Sequence, residues 1–205
     1  MSGFAMILLL LVNGAISFWN AKEAGKVWAE AQSLGGWIQT VTWCTVIQST
    51  LGFSYIYIYF LSTLAYKTHI LSYSTISLVY DLSFFVIILP LVGTGFIMTI
   101  ESWIQAKREQ SLLSLGIAGW NTFASVYNTY HVIQNFGPAF DNVKNFFGDF
   151  SGDSDDDKFN IVVIVAVALL AGIITTMVIV QRYAGTLHIS ESVRQHGLAL
   201  AKGNI

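Results

Sequence analysis

Five side chains that can hold or share a proton, or solvate an ion, fall inside otherwise apolar stretches of this 205-residue chain: Asp81, Glu101, Asn121, Asn128 and His131. A carboxylate at membrane depth is costly, and by default it marks a functional position. Asp81 stands in SLVYDLSFF, about two helical turns into an apolar run that opens near Thr75. Dry, it suits a proton carrier. At the outer interface it would instead pair with Lys67 or bond Ser77 and Tyr80, and both readings stay open. Glu101 lies near the other end of that run, close to Lys107 and Arg108, where structural pairing at the interface is the expectation. His131 reads as a hydrogen-bonded histidine. The four histidines, His69, His131, His188 and His196, show no metal-ligand spacing. A joint site for His69 and His131 stays open, because both fall on the same predicted side.

One acidic stretch resembles a cation loop in part. Asp153, Asp155 and Asp157 occupy the first three ligand positions of a calcium loop, with Asp156 between them. The pattern then fails, because Lys158 stands where glycine is required and Ile164 where glutamate is required. A solvated acidic loop is the default reading, with loose cation binding or a basic partner as the alternative. No phosphate loop, HExxH, CxxC or GxSxG occurs, and no nucleophile–base spacing appears. The sequence implies no cofactor, and an intramembrane enzyme is the weakest reading. The lone cysteine, Cys44, lies in an apolar run and reads as a small hydrophobe.

The elements that would position these residues follow from composition. Hydrophobic residues make up 54% of the chain and charged ones 11%. A soluble domain carries about 25% charged residues, so this chain lacks the charge to cover its own surface in water. Mean hydropathy is +0.60. A net charge of −2 implies no nucleic-acid partner. The fold class expected is an all-α integral membrane protein, a single bundle whose first partner is the lipid bilayer.

A crossing helix needs about 20 mostly apolar residues. Five stretches qualify, at about 2–19, 37–66, 75–104, 112–134 and 159–180, of which 112–134 is the most polar. The first lacks a positive n-region and offers only Ala15-Ile16-Ser17 as a cleavage site, so it reads as a span and not a signal peptide. A helix is expected at about 20–36, stopped by Gly35-Gly36, either lying along the inner interface or extending the first span, and an interfacial amphipathic helix at about 138–150, opened by Pro138. Trp19, Trp37, Trp103, Tyr66 and Tyr183 near span ends fit an aromatic belt. With the N-terminus outside, seven Lys and Arg residues face inside and only Lys67, Lys144 and Lys158 face outside. Basic loops favour the inner side, so N-terminus outside and C-terminus inside is predicted.

Polar and small residues recur at helical spacing on two spans: Thr42, Thr45, Ser49, Gly52, Tyr55, Tyr59 and Ser62 on the second, and Ser114, Ala118, Asn121, Ser125 and Asn128 on the fourth. Gly116, Gly119, Ala168 and Gly172 add close-approach positions. Such seams serve helix packing within a bundle or between subunits. The sharper alternative is a water-filled path lined by the second and fourth spans. Pro90, Gly93 and Gly95 mark a mid-span kink, either static or a moving hinge. The leading functional expectation is a non-catalytic structural, assembly or accessory subunit of a larger membrane complex, cellular or viral, partnered by other membrane subunits or by self-association. The alternative is an oligomeric channel or transporter.

Overall fold

The computed structural model describes residues 3–148 and 155–185, and within them the chain is all-helical. Its elements are α1 (Gly3–Leu34), α2 (Gly36–Lys67), α3 (Tyr73–Ser83), a π-helical turn (Phe84–Ile88), α4 (Leu89–Glu109), α5 (Leu112–Gly148) and α6 (Asp155–Tyr183). Four stretches are long and apolar enough to cross a membrane: 5–34, 36–67, 75–109 and 158–183. They support a multi-pass membrane protein. The expected fourth span, 112–134, is helical but is not among those four, because its amides, hydroxyls and histidine lower its hydropathy.

The turns are short, and each is closed by local chemistry. Gly35 and Gly36 both hold positive φ, 66° and 60°, so the chain reverses between α1 and α2 across Gly35 alone. Helix α2 ends in a Schellman motif. His69 takes the left-handed position at φ 57°, its N–H bonds Tyr66 O at 3.1 Å, and the Ile70 N–H bonds Ala65 O at 2.9 Å. Ser72 caps α3 by accepting from the Thr75 N–H at 3.2 Å. Gln110 is left-handed at φ 50°, and Ser111 caps α5 through the Ser114 N–H at 3.1 Å, so two residues join α4 to α5.

Of the two readings of residues 20–34, the structure has the one in which they extend the first span: they continue α1 and form no separate interfacial helix. No breaker separates Trp19 from Gly35, and Ala21, Ala24 and Ala31 are buried along the extension. Against expectation, Pro138 does not start a helix. It sits inside α5, which runs unbroken from Leu112 to Gly148. Proline removes one backbone donor, but the flanking rings hold the helix: Phe136 and Phe140 stack at 6.0 Å and 6°, and Phe85 packs edge-on to both. Residues 149 and 150 of that expected element lie outside the described residues, as does Asp153 of the acidic loop.

Consecutive helices alternate in direction. Ser49 Oγ donates to Ser17 O at 2.8 Å and lies within hydrogen-bond distance of Thr176 Oγ1, at 3.2 Å, which sets α1 and α6 beside α2. Thr99 meets Ser125 at 2.8 Å near the proximal end of the α4–α5 pair, and Asp81 meets Asn142 at 2.9 Å near its distal end. The rod α3–π–α4 and α5 are therefore antiparallel along their full length. The bundle has a proximal end, where Gly35 and Gln110 turn the chain, and a distal end, where His69 does. Its main apolar core is distal: Ile58, Val79, Ile87 and Ile161 are fully buried there, with Leu51, Leu71 and Val165.

Candidate functional site

Helices α1, α2, α4 and α5 pack in that order as an open arc, and its concave face encloses a cleft of about 910 Å³. Helices α2 and α4 form the floor, α1 and α5 the walls. The cleft begins at the proximal end beside Glu23, Glu101 and Gln105, and no residue distal of Asn13, Gly52, Leu91 or Asn128 lines it. Between Gln105 and Leu91 the rise of α4 gives it a length of about 20 Å. It ends against the distal apolar core.

Each of the four helices contributes polar side chains to the lining, set in a mostly apolar surface that includes Val41, Leu91 and Met98. Helix α1 contributes Asn13, Ser17 and Asn20, spaced four and three so that they share a face. Helix α2 contributes Thr42, Thr45 and Gln48, and α5 contributes Asn121, Ser125 and Asn128. The two seams legible in the sequence are thus brought together in part. Gly52 also lines the cleft, whereas Ser49 is turned away into the α1–α2–α6 contact. Tyr55, Tyr59 and Ser62 continue distally, and Tyr80 of α3 lies near both tyrosines. Ser62 Oγ is buried with no hydrogen-bond partner among the described residues.

Glu101 belongs to this site, but not through the pairing expected for it. The Trp37 indole N–H donates to Oε2, and Gln105 Nε2 donates to Oε1 at 3.2 Å. Arg108 turns to Glu109 instead, at 3.9 Å. Glu23, at the same mouth, is paired with Lys26 at 2.7 Å. Among the described residues no Lys or Arg lines the cleft.

Asp81 and His131 are elsewhere. Asp81 accepts from Asn142 Nδ2 at the distal end of the α3–α5 contact, in place of Lys67, Ser77 or Tyr80. An asparagine 61 positions away was not legible as its partner. His131 Nε2 shares a hydrogen bond with Tyr127 OH at 2.9 Å on the exposed face of α5. His69 is occupied as the cap of α2. Among the described residues no three His, Cys, Asp or Glu side chains gather to hold a metal.

The proline segment borders the closed end of the cleft. Pro90 cannot donate to the carbonyl of Val86, and its ring would crowd that carbonyl. The chain answers with the π turn just before it, in which the Leu89 N–H reaches Phe84 O. Leu91, Val92 and Gly95 then line the cleft, and Gly95 faces Ser125 and Gln48. Gly93 faces open space. Such wide turns recur at functional positions.

Close approach singles out other glycines. A Cβ on Gly52 would overlap Ser17 Oγ, and one on Gly172 would overlap Ser54 Oγ and stand 2.7 Å from Thr50 O. Gly25, not singled out by the sequence, lies against the Val180 carbonyl, where a Cβ would stand 2.6 Å from the oxygen. Ala168 is fully buried. A Cβ on Gly116 or Gly119 would meet nothing within 4 Å, so among the described residues they pack against no other helix.

The fold and site define an all-helical bundle with four helices apt to cross a membrane and a one-sided polar cleft. No protein-family model matches the chain, and neither a curated protein nor a solved structure is similar to it.

Proposed function

We propose that the chain is a membrane transport component, and that the cleft is a vestibule open to water at the proximal end. The observation that carries this reading is the joining of amide, hydroxyl and carboxylate groups from four helices in one cavity that stops at an apolar plug. Polar side chains at membrane depth face a water-filled cavity or one another. The wide turn and Pro90 stand where cavity meets plug, which is where a rocking rod would have to bend.

The reading includes five crossings. Helix α4 ends at the proximal side and α6 begins at the distal side, so in a bilayer the chain has to return between them. Helix α5 makes that return along the full length of the α3–α4 rod. Its modest hydropathy then reflects the cleft that one of its faces lines. In this reading the proximal end faces inside and the N-terminus outside, as the basic-loop asymmetry of the sequence favours.

Thiol accessibility tests this. In a Cys44→Ala background, Asn121→Cys and Asn128→Cys should react with a membrane-impermeant thiol reagent added from the proximal side. Ile87→Cys, in the plug, should be protected from both sides. Cleft cysteines that stay unreactive from either side would mean that the cleft is filled by another helix, and the vestibule reading would fall.

A second reading, the accessory subunit, is favoured by the outer face of α5. There Tyr127, Tyr130, His131, Gln134 and Asn135 are all exposed. Lipid tails cannot satisfy those groups, so a neighbouring protein would stabilise that face. Native mass spectrometry of gently extracted protein distinguishes the two: different proteins bound to it favour the subunit, whereas the chain alone or a closed homo-oligomer favours the transporter.

A further inference from the structure

We infer that the cleft takes an organic cation, with the Glu101 carboxylate as its counter-ion and indole rings at its walls; this rests on the reading of the cleft as a water-filled vestibule. The charge balance comes first. Among the described residues Glu23 and Glu101 are the charged groups on the lining, and Glu23 already has Lys26 at 2.7 Å. Glu101 is held by two neutral donors, the Trp37 indole and the Gln105 amide. Those bonds orient the carboxylate, and no cation among the described residues pairs with it. The apolar part of the lining strengthens the field of such a charge relative to bulk water. An anion entering the cleft is repelled by it, and a neutral solute gains nothing from it.

Size and lining exclude a chelated metal ion as the best fit. Among the described residues no metal-holding cluster of acids, histidines or cysteine exists. A cavity of about 910 Å³ is far larger than a bare ion needs and falls within the span of about 300–1,000 Å³ typical of small-molecule sites. Its walls carry two indoles, Trp19 on α1 and Trp120 on α5, which are 59% and 64% exposed. The face of an indole attracts ammonium groups. Lys22, which does not line the cleft, shows the same attraction, its Nζ lying 5.3 Å from the centroid of the Trp19 ring and 5.5 Å from that of Tyr183 on α6. A carboxylate with flanking aromatic faces and neutral amides such as Asn121 and Gln48 is the chemistry that recognises an alkylated or primary ammonium solute.

Ligand binding to the full chain in lipid nanodiscs tests this, read by intrinsic tryptophan fluorescence and by thermal stability. The probes are choline, tetraethylammonium and putrescine, with 3,3-dimethylbutanol as the neutral analogue of choline. At least one cation should bind saturably and the neutral analogue should not. Glu101→Gln should weaken that cation at least about tenfold, the loss of one charge-assisted contact, while Glu101→Asp retains binding. Trp120→Leu, at an exposed position, should weaken the same cation and serves if Glu101→Gln does not fold. Saturation by none of the three cations, equal binding of the neutral analogue, or undiminished binding to both Glu101→Gln and Trp120→Leu would overturn the inference. Cation binding without uptake into liposomes would instead sink the transport reading and leave this one standing. Uptake of a neutral or anionic solute without cation binding would do the reverse.

Discussion

The two halves of the bundle share α2 and are built to opposite rules. In the proximal half, α1, α2, α4 and α5 spread into an arc whose inner face is open and carries polar groups from all four helices. In the distal half, α2, α3 and α6 close on Ile58, Val79, Ile87 and Ile161, all fully buried. The change of character falls on one stretch, Phe84–Pro90, where the hydrogen-bond ladder widens by one residue. Stability is therefore concentrated distally and along the α2–α6 contact, while the proximal face has been left unfilled. Within a bilayer, apolar burial alone offers little, because lipid is as apolar as leucine. Close packing and interhelical hydrogen bonds have to hold the closed half together.

Substitutions should separate the halves by size of effect. Gly172→Leu should be the most damaging, since its side chain would run into the Thr50 carbonyl and the Ser54 backbone, which cannot move aside as a side chain could. Overpacking of this kind costs about 3 kcal/mol, and thermal unfolding in detergent would register it; an unchanged midpoint would refute the close α2–α6 approach. Ile58→Ala should cost about 2 kcal/mol, mainly through lost packing, and the same melt would detect it. Asn142→Ala removes the donor to a partly exposed Asp81 and should cost about 0.5–1 kcal/mol. Gly116→Ala should leave stability within about 0.5 kcal/mol of the parent, because that position meets no atom. A large loss at Gly116 would show that α5 packs against another molecule through that face.

Much of the closed half was legible in the sequence, and less of the open half. The apolar runs of α2, α3–α4 and α6 announced themselves by length, and Gly35-Gly36 marked a real reversal. The seam on the second span was visible from spacing alone, as was that on the fourth. What spacing could not reveal was which seams would face each other. Asn13, Ser17 and Asn20 carry the same four-and-three spacing on α1, yet Asn20 falls beyond the expected end of the first span, which hid the stripe. Glu101 was read with its sequence neighbours Lys107 and Arg108, but a helix turns those away and brings Trp37, from a different helix, to the carboxylate. Pro138 misled for a related reason. Local preference places proline at a helix start, and the stacked rings of Phe136 and Phe140, with Phe85 edge-on to both, override it.

The two residues between α4 and α5 also bear on how the chain is made. Gln110 and Ser111 allow α5 no separation from α4. Alone, α5 would partition poorly into lipid as it left the ribosome, since Asn121, Asn128, His131 and Asn135 would enter unsolvated. On the five-crossing reading, α5 folded back on α4 would enter with Ser125 already bonded to Thr99 and Thr122 to Trp103. Insertion of the pair as one hairpin is the expected order of assembly. Lengthening that turn with a flexible linker should leave α5 stranded outside the bilayer in a fraction of newly made chains, and glycosylation tags on the linker and after Gly148 would count them.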